Sequence, residues 1–336
     1  MKQAILITGA SGFIGSFLVE EAVKQGYETW AGIRKSSSTR YLKQPEIRLM
    51  ELDFSSQKRL EEQLECFRKE HGKWDIIIHC AGVTKCRDKA DFERFNYQAT
   101  RFLTEALCHL DMMPQQFVYL SSLSIYGPIH EGSETPIGEN DTPQPNTAYG
   151  RSKIKAENYL KGVKELPYVI FRPTGVYGPR EHDYFLMAKS IRNHVDFAAG
   201  FEKQDLTFVY VKDVVQAVFR AIERKVTHRA YFVSDGAVYD SRTFSDLIQK
   251  ELGNPWVIHF KCPLFLLKAL SLLAQWGAAL LGKSSTLNSD KYNIMKQRNW
   301  RCDITPLCKE LGYKPEYPLE RGVKETIAWY KQEKWL

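Results

Sequence analysis

Short apolar runs alternate with longer amphipathic segments along the first half of the chain. Apolar runs of this length predict buried strands, and the segments between them, in which apolar residues recur along one stripe, predict helices. The runs interpreted as strands are Ala4–Thr8, Glu28–Ile33, Ile47–Leu52, Asp75–His79, Phe117–Leu120 and Val169–Arg172. Their alternation with helices predicts an α/β protein with a parallel, doubly wound sheet, in which sites lie at the carboxyl ends of the strands.

Three glycines follow the first strand at intervals of three residues. Gly9 allows a tight turn, Gly12 lets the backbone come against a pyrophosphate, and Gly15 lets the next helix pack closely on the strand. Unpaired amides at the start of that helix, Ser16–Gln25, would face the phosphates. The pattern predicts dinucleotide binding, with a glycine-rich turn in some other α/β protein as the alternative.

The end of the second strand carries Arg34 and Lys35 in place of an acid. An acid at this position accepts hydrogen bonds from the ribose 2′-hydroxyl of NAD, whereas arginine suits the 2′-phosphate of NADP. We therefore expect NADP, with NAD as the alternative; Arg34 would clamp the phosphate and Lys35 would add charge. Alternatively, Arg34 and Lys35 belong to a solvated surface patch without a ligand. Asp53, after the third strand, could accept a hydrogen bond from the adenine amino group.

A tyrosine and a lysine four residues apart open a helix that runs from Ala148 to Leu160. This spacing puts Tyr149 and Lys153 on one face of the helix. A free tyrosine has a pKa of about 10, and an ammonium one helical turn away favours its phenolate. Ser122 follows the fifth strand, at the same edge of the sheet. We interpret the set as an acid–base site; a surface tyrosine and lysine on an amphipathic helix is the alternative.

The alternation of strands and helices loosens in the second half of the chain. We expect residues 1–172 to form a dinucleotide-binding domain, to which 206–235 return. Residues 173–205 and 236–336 would form a smaller, mostly helical substrate lobe at the C-terminal end. The remaining segments interpreted as helices are Ser55–Lys69, Asp91–Leu110, a segment ending at Glu223, 240–252, 263–281 and 319–332.

The composition is that of an ordinary globular protein, with 336 residues of which 43% are hydrophobic and 26% charged. The net charge of +7 is spread without a basic block, which argues against a nucleic-acid partner. Seven cysteines without a Cys-x-x-Cys pair favour a reducing compartment and no zinc or other metal site. Only three residues precede the first strand, so we expect no signal peptide and a cytoplasmic protein.

A series of short motifs runs along the chain in a characteristic order. The segments are TGASGFIG (8–15), Asp53, CAG (80–82), Asn96, SSLSIYG (121–127), YGRSK (149–153), FRPTGVYGP (171–179) and FVYVKDVV (208–215). This order resembles that of the extended short-chain dehydrogenase/reductases, the NAD(P)-dependent epimerase/dehydratase superfamily, which includes dihydroflavonol-reductase-like and 3β-hydroxysteroid-dehydrogenase-like enzymes. The resemblance spans nearly the whole chain and implies a Rossmann-type doubly wound parallel sheet.

The resemblance also implies roles for individual residues. The catalytic residues would be Ser122, Tyr149 and Lys153. The cofactor would be contacted by Gly9, Ser11, Gly12, Phe13, Ile14, Gly15, Arg34, Lys35, Asp53, Phe54, Cys80, Ala81, Gly82, Asn96, Tyr149, Lys153, Pro173, Thr174 and Val176. Relatives usually dimerise through the helices at 91–110 and 149–160, so we expect a homodimer with two-fold symmetry. Its apolar contacts would include Leu103, Leu107 and Leu110.

The same motifs rank the reactions that this chain could catalyse. Relatives that act on nucleotide sugars commonly carry an asparagine after the sixth strand, where this chain reads RPTGV at 172–176. Dehydratases place an Asp-Glu pair after the catalytic threonine, where this chain has Leu123 and Ser124. NADP preference fits a reductase that exchanges its cofactor. We therefore expect interconversion of a ketone and a secondary alcohol, with nucleotide-sugar 4-epimerisation second and a non-catalytic NADP-binding regulator or structural subunit third.

The segment 263–281 is apolar apart from Lys268, Ser271 and Gln275. It approaches the ~20 residues of a membrane span but carries a charge. We expect one face to pack within the lobe, and a peripheral membrane contact is the alternative. An apolar lobe favours a bulky, apolar small-molecule substrate such as a steroid, a flavonoid-like compound or a lipid ketone. The face expected to be buried consists of Leu266, Leu270, Leu273, Gly277 and Leu280.

Overall fold

The computed structural model describes residues 2–86, 88–280, 285 and 287–336. The strands are β1 (Ala4–Thr8), β2 (Glu28–Ile33), β3 (Ile47–Glu51), β4 (Ile76–His79), β5 (Gln116–Leu120), β6 (Tyr168–Pro173), β7 (Gly175–Tyr177), β8 (Val195–Ala199), β9 (Phe208–Tyr210), β10 (Arg229–Val233) and β11 (Ile258–Cys262). The helices are α1 (Phe13–Lys24), α2 (Gln57–His71), α3 (Lys89–Phe92), α4 (Ala99–His109), α5 (Ala148–Gly162), α6 (His182–Arg192), α7 (Val211–Glu223), α8 (Thr243–Glu251), α9 (Leu264–Leu280), α10 (Ser289–Lys296), α11 (Thr305–Leu311) and α12 (Leu319–Gln332). A π-helical turn, Glu93–Gln98, joins α3 to α4, and a 3₁₀ turn, Leu123–Ile125, follows β5.

Within the described residues, seven strands form a central sheet in the order β3-β2-β1-β4-β5-β6-β10. Neighbours from β3 to β6 pair in parallel, and Thr8 at the end of β1 lies opposite both Gly32 and His79. The strand order reverses between β1 and β4. In a doubly wound sheet this reversal opens a crevice at the carboxyl ends of the two strands, where ligands bind. The predicted Rossmann-type fold is confirmed.

One compact unit comprises Met1–Ser122, Arg151–Arg172 and Val215–Tyr231. Its strands β4 and β5 are buried throughout, as expected for parallel strands with helices on both faces. Leu103 and Leu107 of α4 are fully buried in the core of this unit, and Leu110 packs against that core. The expectation that Leu103 and Leu107 face a dimer partner is therefore wrong, because their side chains are already buried within the unit. The homodimer itself stays a prediction.

The other unit comprises Leu123–Gly150, Pro173–Val214 and Phe232–Leu336. It contains two small parallel sheets, β7 with β9 and β8 with β11. The ring of Tyr177 lies at the centre of an aromatic core, edge-on to Tyr210 and Phe244. The sequence did not predict β7, β8, β11, α6, α10 or α11, because most of these elements are short and short elements give little periodic signal.

Helix α9 buries a different face from the one that its sequence predicts. Leu267 and Ser271 are buried, whereas Leu266, Leu270 and Leu273 of the expected core face are 39%, 43% and 64% exposed. The helix contacts its unit through the neighbouring stripe and turns much of its apolar surface outward. The Leu280 side chain and residue 281 lie outside the described residues. Among the helices that the structure describes, none has the length and apolarity to cross a membrane.

Candidate active site

The glycine turn after β1 is shaped by close contacts between backbone atoms. Gly9 has a φ of +67°, and a Cβ there would lie 2.7 Å from the Ala81 nitrogen. A Cβ at Gly15 would lie 2.1 Å from the Gly9 carbonyl oxygen, so α1 can pack on the turn only because residue 15 has no side chain. Gly12 is the N-cap of α1. The result is a cradle of backbone atoms at a helix start, the form of site that binds phosphate groups.

Three buried polar side chains connect the ends of β1 and β4 to α4. His79 Nδ1 lies 2.8 Å from Thr8 Oγ1, and His79 Nε2 lies 3.0 Å from Thr100 Oγ1. The Thr100 hydroxyl donates to the Asn96 carbonyl oxygen (2.6 Å), so it accepts from Nε2–H. Nδ1 then accepts from the Thr8 hydroxyl, whose oxygen accepts from the Ala81 amide at 3.2 Å. The chain of hydrogen bonds therefore assigns the Nε2–H tautomer and ties together the loops that follow both strands.

His79 is held neutral by this environment. Burial, with a smaller contribution from the Lys153 charge, lowers the pKa of His79 to about 3. Sequence reasoning did not single out His79, Thr8 or Thr100. A signal was present, since Thr8 and His79 are polar residues that end otherwise apolar strand runs.

Asn96 is fully buried in the π-helical turn. Its Oδ1 accepts from the Val83 amide (2.8 Å), and its Nδ2 donates to the Val83 carbonyl oxygen (3.1 Å) and to Ser152 Oγ (3.0 Å). A Cβ at Gly82 would lie 2.8 Å from Asn96 Oδ1. Asn96 thus clamps the loop after β4. The helix predicted over Asp91–Leu110 is interrupted here, and π turns inside helices often mark functional sites.

Lys153 is a buried cation at the carboxyl end of β5. Its ammonium donates a hydrogen bond to the Leu120 carbonyl oxygen at 2.7 Å. Burial lowers the pKa of Lys153 to about 8, although the neighbouring Cys80 and Glu157 oppose this shift. The ammonium is therefore charged at neutral pH. It contacts the backbone two residues before Ser122, which lies in the loop after β5, as predicted.

A buried ion pair anchors α5 on the sheet just beyond this lysine. Arg172 of β6 donates from Nη2 to Glu157 Oε2 at 2.7 Å and from Nε to Oε1 at 3.1 Å. Burial alone would raise the pKa of Glu157, but the Arg172 guanidinium outweighs burial and lowers it. Removing Glu157 would leave the buried Arg172 guanidinium without this carboxylate, so the pair fixes the axial position of α5.

Tyr149 lies in the first turn of α5, one helical turn before the buried lysine. Thr147 Oγ1 accepts from the Gly150 amide (3.0 Å), and Asp290 Oδ2 of α10 accepts from the Ala148 amide (2.7 Å). These two side chains satisfy amides that a helix start leaves unpaired, and so set where α5 begins. Asp290 was not found by sequence reasoning, because it is distant along the chain and belongs to no motif.

The residues expected at the adenosine end follow β2 and β3, which are neighbours in the sheet. Arg34 and Lys35 are exposed directly after β2. The Asp53 carboxylate accepts from the Ser55 amide at 2.9 Å and lies 3.2 Å from the Arg59 guanidinium, and the Ser55 hydrogen bonds are the largest cause of its lowered pKa. Arg34 and Asp53 are therefore placed at the same end of the adjacent strands β2 and β3.

The remaining predicted contacts fall in both units. Ser11, Phe13, Ile14, Phe54, Cys80 and Ala81 belong to the first unit, in the loops after β1, β3 and β4 and the first turn of α1. Pro173, Thr174 and Val176 belong to the second, around the junction of β6 and β7. There Thr174 Oγ1 lies 2.7 Å from the Thr207 carbonyl oxygen. Within the described residues, no cluster of three or more His, Cys, Asp or Glu side chains could hold a metal ion.

The first unit fits a dinucleotide cofactor. The turn at Gly9 and Gly15 has no room for side chains and offers backbone amides to a pyrophosphate. Asp53 and Arg34 stand at the strand ends where the adenosine half lies in such folds. Lys153 supplies a desolvated positive charge at the carboxyl end of β5.

Comparison with known proteins agrees with this geometry. Residues 5–234 match the NAD-dependent epimerase/dehydratase family model. The chain is 25% identical to the sterol-4-alpha-carboxylate 3-dehydrogenase (decarboxylating) of Dictyostelium discoideum, covering 86% of this chain and 94% of the relative. It is also 25% identical to a putative UDP-glucose 4-epimerase of Methanocaldococcus jannaschii, covering 97% and 98% of the two chains.

Solved structures show the same fold over the whole chain. The UDP-glucose 4-epimerase of Thermotoga maritima with UDP-glucose superposes with a TM-score of 0.77 at 22% identity, covering 99% of this chain and 100% of that one. The dTDP-glucose 4,6-dehydratase of Bacillus anthracis with NAD has a TM-score of 0.77 at 19% identity, covering 99% and 98%. The family match extends over more than half of the sequence, so the chain belongs to the NAD-dependent epimerase/dehydratase family and is an enzyme of the oxidoreductase type.

Proposed function

We propose that this protein is an NADP-dependent oxidoreductase that interconverts a ketone and a secondary alcohol on a bulky apolar substrate. The observation that carries the proposal is the buried Lys153 ammonium, fixed at the carboxyl end of β5 and one helical turn after Tyr149. A phenol needs such a neighbour to exchange protons near neutral pH.

The proposed chemistry divides among three side chains. In the direction of reduction, the Tyr149 hydroxyl gives its proton to the substrate carbonyl oxygen, and in oxidation the phenolate takes it back. Lys153 favours the phenolate by its positive charge and would also hold the ribose hydroxyls. Ser122 donates a hydrogen bond to the same oxygen as charge develops there. The nicotinamide cofactor, when bound, supplies or accepts the hydride.

The preference for NADP rests on the end of β2. Arg34 and Lys35 follow that strand, and neither position carries the acid that would accept hydrogen bonds from a free 2′-hydroxyl. Several structural relatives are described with NAD, so the two cofactors need a direct comparison.

The substrate class rests on the motifs and on one group of relatives. Leu123 and Ser124 follow the proposed catalytic serine, and 172–176 contains no asparagine. The names of two relatives, from Dictyostelium discoideum and Candida albicans, describe 3-dehydrogenases of sterol carboxylates, which are bulky and largely apolar. These observations favour alcohol–ketone chemistry on such a molecule.

A nucleotide-sugar 4-epimerase is the second candidate. It is favoured by the similarity to two proteins described as UDP-glucose 4-epimerases. A non-catalytic NADP-binding subunit is the candidate of another class. Such proteins usually lack the tyrosine or the lysine, and this chain has both at the expected spacing.

The experiment compares NADPH and NADH binding by fluorescence titration and then assays steroid, flavonoid-like and lipid ketones beside UDP-sugars. We expect tighter NADPH binding, and Arg34→Asp should weaken it about ten- to a hundred-fold, the cost of one charge-assisted contact. Arg224→Asp, at an exposed arginine beyond α7 in the same unit, is the matched charge reversal and should have no effect. Equal affinities for the two cofactors in the unmodified protein would contradict the NADP assignment. Turnover of a UDP-sugar alone would favour the epimerase.

A further inference from the structure

Strand β11 and helix α9 follow one another in the second unit, and we call their exposed apolar side chains the β11–α9 surface. Among its large side chains, Ile258, Phe260, Phe265, Leu270, Leu273 and Trp276 are each more than 40% exposed. Isolated exposed apolar residues are common, but so many within one short stretch of chain indicate a binding surface.

The strand half of this surface is one face of the small β8–β11 sheet. Ile258 lies opposite Val195, and Phe260 opposite Phe197, so these side chains share a face. On the other face Ser245 of α8 donates to the buried Asp196 at 3.1 Å, while His259 and Lys261 of β11 are exposed. On the apolar face Ile258 and Phe260 are 60% and 49% exposed.

The helix half of the surface occupies most of the circumference of α9. Leu267 and Ser271, one turn apart, are its buried contacts with the unit. Phe265 at one end and Trp276 towards the other are 78% and 66% exposed. A helix that is apolar nearly all round is normally buried in a core or in lipid, so α9 requires a cover that the described residues of its unit do not supply.

The charges on the β11–α9 surface indicate which kind of partner it binds. Residues 252–289 contain no Asp or Glu, while Lys268 in α9 is exposed. In a two-fold symmetric contact between two copies the same patch meets itself, and this stretch offers Lys268 no acid with which to pair. A surface of anionic headgroups above hydrocarbon complements both Lys268 and the apolar side chains.

We propose that the β11–α9 surface docks the protein on an anionic lipid bilayer, with α9 lying in the plane of the interface. Trp256 and Trp276, each 66% exposed, are of the residue type that concentrates at the boundary between headgroups and hydrocarbon. The proposal is independent of the reaction catalysed, because it uses none of the residues assigned to chemistry or to the cofactor.

The test is flotation of the purified full-length protein with vesicles of phosphatidylcholine alone or mixed with phosphatidylglycerol. We expect binding to the mixed vesicles that weakens with salt. Leu270→Gln with Leu273→Gln should reduce binding at least about ten-fold, because both side chains would leave hydrocarbon. Lys268→Gln should reduce it about five-fold on mixed vesicles only, whereas Lys261→Gln, on the opposite face of the β8–β11 sheet, should leave it unchanged. Leu49→Gln with Leu186→Gln, at leucines 48% and 46% exposed elsewhere, is the matched control and should not change it.

Three results would overturn the proposal. The first is no flotation with the mixed vesicles. The second is flotation that the α9 leucine pair and the control pair alter equally. The third is a protein that does not bind vesicles but self-associates in light scattering, and whose self-association is lost in the Leu270→Gln, Leu273→Gln variant. A second copy of the chain would then be the occupant of the surface. Circular dichroism of each variant checks that it is folded.

Discussion

The ammonium of Lys153 donates a hydrogen bond to the carbonyl oxygen of Leu120 at 2.7 Å. Leu120 ends β5, and Lys153 lies on α5, so this contact fixes a helix-borne cation at the edge of the sheet where ligands bind in doubly wound folds. The Arg172–Glu157 pair one turn further along α5 prevents the helix from sliding. The charge that we propose to assist the chemistry is thus held in place by groups to which we assign no chemical role.

The buried lysine should make the unliganded protein more stable as the pH rises. Its pKa is about 8 in the folded chain and about 10.5 as a free group, so between these values the unfolded chain binds more protons. Lys153 should therefore add roughly 2 kcal/mol to the free energy of unfolding between about pH 8 and pH 10. Urea unfolding at pH values of about 8 and 10 measures this difference in the free energy of unfolding. In Lys153→Met this increment should be absent; an equal increment in both proteins would show that the lysine is not its source.

The buried histidine should give a pH dependence of the same sign on the acid side, with stability falling as the pH falls. His79 has a pKa of about 3 in the folded chain against 6.5 as a free group, so below about pH 6.5 the unfolded chain gains a proton that the folded chain does not. Stability should fall by roughly 2 kcal/mol from pH 7 to pH 5 on this account. His79→Gln should lose that dependence, whereas His71→Gln, at a more exposed histidine of the same unit, should retain it. A histidine resonance of His79 that titrates near pH 6.5 in NMR would contradict the assignment.

The glycine turn should not tolerate a methyl group at residue 15. In Gly15→Ala the new Cβ would lie 2.1 Å from the Gly9 carbonyl oxygen, so α1 must move away from the turn. We expect a loss of about 1–3 kcal/mol in unfolding free energy and weaker NADPH binding, since the helix start is displaced from the phosphates. Gly162→Ala, at the end of α5 with no atom within 4 Å of the new Cβ, is the control. Thermal unfolding that moves equally in the two variants would contradict this view of the turn.

Much of the first unit could be predicted from the sequence, and the reasons are local. The strand from Ala4 to Thr8 and the three glycines after it are specified by runs and spacings that can be read along the chain. His79 and Asp290 could not be found in this way. Their roles depend on hydrogen bonds to Thr8 and Ala148, which lie 71 and 142 residues away, and no periodic pattern encodes such pairings.

The main error concerned α9, and its cause is also physical. Apolar residues recur on every side of this helix, so the sequence cannot tell which stripe is buried. The sequence analysis predicts burial of the stripe through Leu270, whereas the structure buries the adjacent stripe through Leu267. The π turn that carries Asn96 was missed for a similar reason, because one inserted residue hardly changes a helical pattern.

The measurement that tests the central claim most directly is the single-turnover rate of Tyr149→Phe with saturating NADPH and a ketone that the unmodified protein reduces. The hydroxyl acts mainly on the transition state, so the rate should fall to a small fraction of the wild-type rate while NADPH affinity stays nearly unchanged. Ser122→Ala, which loses one donor to the carbonyl oxygen, should fall by an intermediate factor on the order of 10². A Tyr149→Phe protein that keeps most of the wild-type rate would contradict the assignment of Tyr149 as proton donor.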